Sequence, residues 1–242
     1  QPRSRGLGDV YKRQASKGGI TDRSDPNRFF NNEVKYLEQQ LDNSLMRLGV
    51  EQIDLYYVHR RDPFVPVEEV TQTLAGFIKS GKIAGFGFSE ISPTTLQAAH
   101  AVHPVAAVQS EYSLSTRTPE LGVIQTCAEQ NITFVAFSPV GRSLLTDKPH
   151  NREIAATIPF LANNPRFLEP NLSYNIAFAS KFRDLAFDLG LTAAGLAIAW
   201  CLAKGDHILP IPGTRNVDHF KAMVTGSKRI LTLEELMAVE AA

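Results

Sequence analysis

The 242-residue sequence has no excess charge of either sign, because 25 basic and 25 acidic side chains cancel. That removes the electrostatic ground for expecting nucleic acid or an anionic membrane surface as a partner. No apolar run reaches the roughly 18 residues that a membrane-spanning helix needs. The first residues, Gln-Pro-Arg-Ser-Arg, lack the apolar stretch of a signal peptide. Cysteine is scarce. Cys127 and Cys201 lie in helix-like runs without Cys-x-x-Cys spacing, so both are expected to be reduced core thiols of a cytoplasmic protein, with no disulfide and no metal site. No Gly-x-Gly-x-x-Gly follows a first strand, which weakens a Rossmann reading. Repeats, low-complexity tracts and charge runs are also lacking, and no Met opens the chain, so its true beginning is expected to be absent. What remains, with 43% hydrophobic residues, is a globular α/β enzyme with a sizeable core.

From about residue 15, short strand-like runs alternate with longer amphipathic stretches. Val34, Leu37, Leu41, Leu45 and Leu48 share one helical face, and Gly49 is a natural left-handed stop. Ile53 to Val58, Ile83 to Phe88, Val105 to Val108, Ile132 to Phe137 and Ile208 to Ile211 read as strands, and Ala15-Ser16 ends a shorter one. Ser92-Pro93 and Thr118-Pro119 each give a cap and a first-turn proline for a helix. A stretch from about Gly141 to Leu172, broken by Asn163-Asn164-Pro165 and Glu169-Pro170-Asn171, reads as an elaborated loop, and Ser173 then opens a helix. Near-continuous apolar strands alternating with helices predict a parallel sheet with right-handed crossovers, and a (β/α) barrel fits best.

Polar residues follow each strand: Lys17, His59, Ser89 with Glu90, Gln109, Ser138, and the run Pro212 to Arg215. In a parallel barrel these converge on the C-terminal rim, where active sites are built. Taken singly, a His such as His59 after a strand is more often a structural residue, Lys17 also reads as a solvated lysine, and Ser89 and Gln109 as groups that cap helices or bond backbone.

Several of these segments resemble the aldo-keto reductases. They are Ala15-Ser16-Lys17-Gly18-Gly19, Asp54 to His59, Gly81 to Glu90, Val108 to Ser113, Ser138 to Arg142 and Pro210 to Arg215. They occur in the family's order from about Ala15 to the C-terminus, with greatest likeness to the perakine-reductase-like branch. The resemblance implies a (β/α)8 TIM barrel that reduces aldehydes or ketones with NADPH. Of the family's catalytic Asp, Tyr, Lys and His, it implies Lys17 and His59 for the last two. There the Tyr hydroxyl is the proton donor, the lysine ammonium lowers its pKa, and the histidine orients the carbonyl.

The same transfer puts Ser89 and Gln109 on the nicotinamide carboxamide and Phe137 on its ring, although Phe137 also reads as a core strand residue. Ser138, Val140, Gly141 and Arg142 line the pyrophosphate. Gly213, Thr214 and Arg215 meet the adenosine 2′-phosphate, with Arg215 its charge partner or else a solvated basic residue. Two departures from the family's pattern stand out. Glu90 stands where many family members have Asn, although it matches the perakine-reductase-like branch, and Lys221-Ala222-Met223 replaces the Glu-Glu-Asn that often contacts adenine.

The family's Asp and Tyr belong upstream of Lys17, with a helix between. Asp9-Val10-Tyr11 looks like them but stands too close, since only residues 12 to 16 separate Tyr11 from Lys17. With six strands counted, the first two β/α units are expected to be missing, about 60 residues at roughly 30 per unit. Residues 1–14 are expected to be a translated adapter segment, leaving 15–242 as a partial barrel. The chain is accordingly expected to have little activity itself. A nucleotide-binding regulatory subunit on the same fold is the alternative.

Overall fold

The computed structural model describes residues 14–21 and 29–241. Asp9, Tyr11 and all but Gln14 of the expected adapter segment lie outside the described residues. Along the chain run β1 (Ala15–Gly18), α1 (Val34–Leu48), β2 (Leu55–Val58), α2 (Val67–Lys79), β3 (Phe86–Ser89), α3 (Pro93–Val102), β4 (Ala107–Glu111), α4 (Val123–Glu129) and β5 (Thr133–Phe137). Then come α5 (Arg152–Thr157), α6 (Pro159–Ala162), α7 (Asn171–Asp188), α8 (Ala193–Ala203), β6 (Ile208–Ile211), α9 (Val217–Ser227) and α10 (Leu233–Ala241). Among the described residues no single helix is long and apolar enough to cross a membrane.

The described residues form two compact units, those up to 109 together with 122–133, and 110–121 together with those from 134 onward. In the first, β1 pairs with β2, β2 with β3 and β3 with β4, all parallel, with Lys17 opposite Tyr57 and Ser89 opposite Gln109. The strands bury Tyr56, Val58, Phe86 and Phe88. Helices α1, α2 and α3 contribute Leu37, Leu41, Leu74 and Leu96 to the core; of the stripe read over α1, Leu37 and Leu41 are buried, whereas Val34 in the first turn is exposed. β3 runs close to its neighbours: a Cβ at Gly87 would meet the Ala107 carbonyl oxygen and, at 2.6 Å, the Tyr57 ring. Only glycine permits that approach.

Local signals set the helix ends. Ser92 Oγ accepts from the Thr95 N–H at the start of α3, and Gly49 at φ 66° returns its N–H to Leu45 O after α1. The predicted helix from Thr118 is divided. A 3-10 turn covers Thr118–Leu121, Gly122 takes φ 151°, and α4 begins at Val123.

In the second unit β5 and β6 pair parallel, with Phe137 opposite Ile211. The stretch read as an elaborated loop holds two short helices, α5 and α6, around a small core of Leu144, Ala155, Leu161, Phe167 and Leu172. Helix α8 is apolar nearly all round and buried from Ala193 to Cys201. Its Trp200 is fully buried, with ring centroids 5.2 Å from Tyr112. The Arg117 guanidinium carbon and Lys204 Nζ each lie 5.6 Å from the indole centroid. The indole N–H donates to Glu240 Oε1 of α10 at 3.3 Å. Cys127 and Cys201 are both buried and free, and burial pushes each thiol up to about 12.

Candidate active site

In the first unit the predicted residues assemble where four adjacent parallel strands end. Lys17 is the next-to-last residue of β1, His59 follows β2, Ser89 closes β3, and Gln109 lies near the end of β4. The backbone itself sets this alignment: the His59 N–H donates to Gly18 O at 2.8 Å, and the Glu90 N–H to Gln109 O at 3.0 Å. Lys17 Nζ donates to the Gln109 side-chain oxygen and sits 5.8 Å from the Tyr57 ring centroid. Gln109 also hydrogen-bonds the Tyr57 hydroxyl. Burial pushes Tyr57 up to about 12, against that bond, so this phenol is a poor proton donor at neutral pH.

Arg60 is the residue that sequence reasoning missed. Its Nη1 donates to Ser89 Oγ at 3.0 Å and to the His59 carbonyl at 2.7 Å. Burial first, and then the Arg60 charge, push the Lys17 ammonium below its ordinary value. His59 falls to about 4, through burial, then Lys17, then Arg60. Its position next to His59 in the sequence was the available signal. The chain beyond Arg60 is pinned by two buried residues. Asn32 Nδ2 donates to Arg60 O at 3.1 Å, and the Asp62 N–H to Asn32 Oδ1 at 2.8 Å.

The depressed His59 value has a definite pH consequence. The folded state binds this proton only near pH 4, whereas an unfolded chain titrates near 6.5. Stability is therefore unaffected by His59 above pH 6.5 and falls as the pH drops from about 6.5 to about 4. In a proton NMR titration the His59 ring signals should stay in the neutral position down to about pH 5. A midpoint near 6.5 would show that neither burial nor the charges of Lys17 and Arg60 act on it.

In the second unit Phe137 ends β5, half-buried, and the chain then turns sharply. Ser138, Gly141, Arg142 and Ser143 all have left-handed φ, at 52°, 59°, 54° and 89°. A Cβ at Gly141 would lie 2.7 Å from Ser115 Oγ and 3.2 Å from Leu145, so glycine alone fits there. The Val140 side chain packs against Ala194, Ile198 and Met223, which leaves its backbone as the part available to a ligand. Arg142 is held by Glu111, with Nε to Oε1 at 3.1 Å and Nη2 to Oε2 at 2.8 Å. After β6, Gly213, Thr214 and Arg215 are exposed. The Thr214 hydroxyl accepts from the Asn216 N–H at 3.1 Å, and Asn216 caps α9. Glu90, directly after β3, has φ 54°, a left-handed conformation uncommon for a residue with a side chain.

The structure thus brings Lys17, His59, Ser89 and Gln109 together in the first unit. Phe137, Ser138, Val140, Gly141 and Arg142 are grouped in the second, and Gly213, Thr214 and Arg215 form a separate exposed turn there.

Residues 15–242 match the Aldo/keto reductase family. Aldo-keto reductase yakc, NADP(+), of Schizosaccharomyces pombe is 42% identical over 194 residues, which cover 79% of this chain and 57% of that protein. Aldo-keto reductase str7 of Strobilurus tenacellus is 35% identical over 231 residues, covering 93% of this chain and 66% of that one. Among solved structures, the glycerol dehydrogenase AKR11B4 from Gluconobacter oxydans superimposes with a TM-score of 0.81 at 27% identity, over 94% of this chain and 70% of that one. This chain therefore spans less than two thirds of the length of each of the two named reductases. The six strands among the described residues make up part of the family's eight-stranded α/β barrel. The chain belongs to the aldo/keto reductase family.

Proposed function

We propose that the protein reduces aldehydes or ketones to alcohols with NADPH. The observation that carries this reading is the alignment of Lys17, His59, Ser89 and Gln109 at the ends of four parallel strands in register, with His59 neutral at working pH.

The donor set fits such a dinucleotide. The Ser89 hydroxyl and Gln109 amide are buried polar groups able to bond a carboxamide. The tight left-handed turn from Ser138 to Ser143 is a backbone of the kind that takes a pyrophosphate. Arg215 stands exposed beside the Thr214 hydroxyl, and open space surrounds Gly213, as a 2′-phosphate site requires. Phe137 offers a ring face for stacking. Bound NADPH supplies the hydride.

The chain's own residues supply placement and polarisation. Neutral His59 hydrogen-bonds and orients the carbonyl oxygen. Lys17 holds a positive charge beside the proton donor and so favours loss of its proton. That donor is, by the resemblance, a tyrosine paired with an aspartate, which we place in the part of the relatives' length that this chain does not span. Tyr57, at about 12 and buried, does not substitute for it. The substrate is a small carbonyl compound met in the cytoplasm.

Calorimetry with NADPH and a turnover assay on a generic aldehyde test the reading together. The 242-residue chain should bind NADPH yet turn over far more slowly than the intact relatives. Absence of NADPH binding would sink the proposal. Binding without turnover in a version that carries both Asp and Tyr would point to a regulatory nucleotide-binding subunit. Turnover by the 242-residue chain as fast as that of intact relatives would refute the assignment of the acid.

A further inference from the structure

Glu111, at the end of β4, joins two segments that lie far apart in sequence. Its Oε1 accepts from Arg142 Nε at 3.1 Å and pairs with Arg166 Nη1 at 2.8 Å, while Oε2 accepts from Arg142 Nη2 at 2.8 Å. The carboxylate is 13% exposed, and the two arginines are 23% and 27% exposed. This is a charge network shielded enough to hold a geometry. Burial pushes the Glu111 carboxyl up, but the hydrogen bonds from Arg142 and Arg166 outweigh it and hold it below the usual range.

Arg142 belongs to the left-handed turn after β5, at φ 54° and ψ 44°, a conformation that a non-glycine residue keeps only when its surroundings enforce it. Its guanidinium carbon also lies 5.6 Å from the Phe160 ring centroid in α6. Arg166 belongs to the elaborated loop, where its Nη1 donates to Thr116 Oγ1 at 3.0 Å and its carbonyl accepts from Asn175 Nδ2 at 2.8 Å. The loop has its own small core, which includes Leu161 and Phe167 on either side of this anchor.

We propose that Glu111 is a positioning residue. It holds Arg142 as a strut that keeps the Ser138–Ser143 turn in shape, and through Arg166 it fastens the loop 144–172 to that turn, so that dinucleotide binding and ordering of the loop are coupled. The coupling half rests on the functional reading above. Arg142 then serves the phosphates through the shape of its backbone, because two of its guanidinium nitrogens are engaged by Glu111. The loop that borders the turn becomes better ordered when a dinucleotide is bound.

The test uses the 242-residue chain with Glu111→Gln, Arg142→Met, the double variant, and Arg166→Met. NADPH affinity is measured by calorimetry and backbone amide exchange over residues 144–172 by mass spectrometry. Each of Glu111→Gln and Arg142→Met should weaken NADPH by roughly tenfold. The double variant should be no worse than either alone, within about twofold. Arg166→Met should speed exchange across the loop and weaken NADPH several-fold, and NADPH should slow loop exchange in the parent. Glu111→Asp, which keeps the charge, should recover part of the lost affinity.

If Arg142 instead met the phosphate with its own charge, Glu111→Gln would leave affinity unchanged or improve it while Arg142→Met lowered it. That outcome overturns the proposal, as does loop exchange in the parent that ignores NADPH. No NADPH binding by the parent overturns the functional reading and the coupling together. The fastening itself stands if Glu111→Gln still speeds exchange in both turn and loop, and falls if it does not.

Discussion

Trp200→Ala should lower the unfolding free energy of the chain by about 3 to 5 kcal/mol, the range for emptying a large aromatic site in a core. The side chain is fully buried on α8, stacked at a tilt on Tyr112 and flanked by the cations of Arg117 and Lys204. Its removal takes away more than apolar area. Glu240 loses the indole N–H, and Arg117 and Lys204 lose the ring between them, although both still pair with Glu240. The Tyr112 hydroxyl, which donates to Glu120 at 2.7 Å, borders the resulting cavity. Trp200→Phe keeps most of the packing and loses only the donor and part of the volume, so about 1 to 2 kcal/mol is expected. Urea unfolding followed by circular dichroism is the right measurement, because Trp200 is the sole tryptophan and its loss removes the fluorescence signal. A Trp200→Ala chain within 1 kcal/mol of the parent would show that the site is not a packed core.

Arg215→Glu should reduce NADPH affinity by about 10- to 100-fold, equivalent to about 1.4 to 2.7 kcal/mol, and change NADH affinity by no more than about twofold. The two dinucleotides differ by one phosphate group. A residue that recognises this group must separate them, whereas one that merely shapes the turn must not. Arg215 is exposed, next to a threonine hydroxyl and ahead of the Asn216 cap of α9, so a phosphate there would meet a guanidinium, a hydroxyl and the positive end of a helix. The discrimination should shrink as salt rises, because the site is open to solvent. Equal losses for both dinucleotides would return Arg215 to the role of a solvated basic residue and remove the structural ground for a preference for NADPH.

The alternation of strands and helices was legible because each apolar run is long enough to show its period. The beginnings of strands were less so. Ile53 and Ile83 were read as strand residues, yet they form an isolated bridge to one another, with β2 starting at Leu55 and β3 at Phe86. Apolar character marks burial, and a residue leading into a strand is buried as well as one within it. Gly122 was the signal that the stretch after Thr118 breaks, but a single glycine inside a helical pattern is ambiguous until its φ is seen. Helices α5 and α6, of six and four residues, are too short for any periodicity to show.

At the site, the positions of His59, Ser89 and Gln109 were legible because each ends or follows an apolar strand, whereas Lys17 follows a run too short and polar to read by itself and rested on the resemblance. Glu111 and Arg166 were invisible for the opposite reason. Charged residues on a loop or just past a strand look like solvated surface, and the separation of 31 positions between Glu111 and Arg142 gives no hint that they pair. Arg60 adjoins His59, but its bond to Ser89 spans 29 residues and depends on β2 and β3 being neighbours.

The two buried thiols offer a practical opening. Cys127 and Cys201 are fully enclosed, and at about 12 neither holds appreciable thiolate near neutral pH. Maleimide or iodoacetamide reagents should therefore pass them by in the native protein. One cysteine introduced at an exposed position could then carry a dye without first stripping the natural pair. A dye on Glu153, an exposed residue of α5, would then report on the surroundings of that helix with the core unaltered.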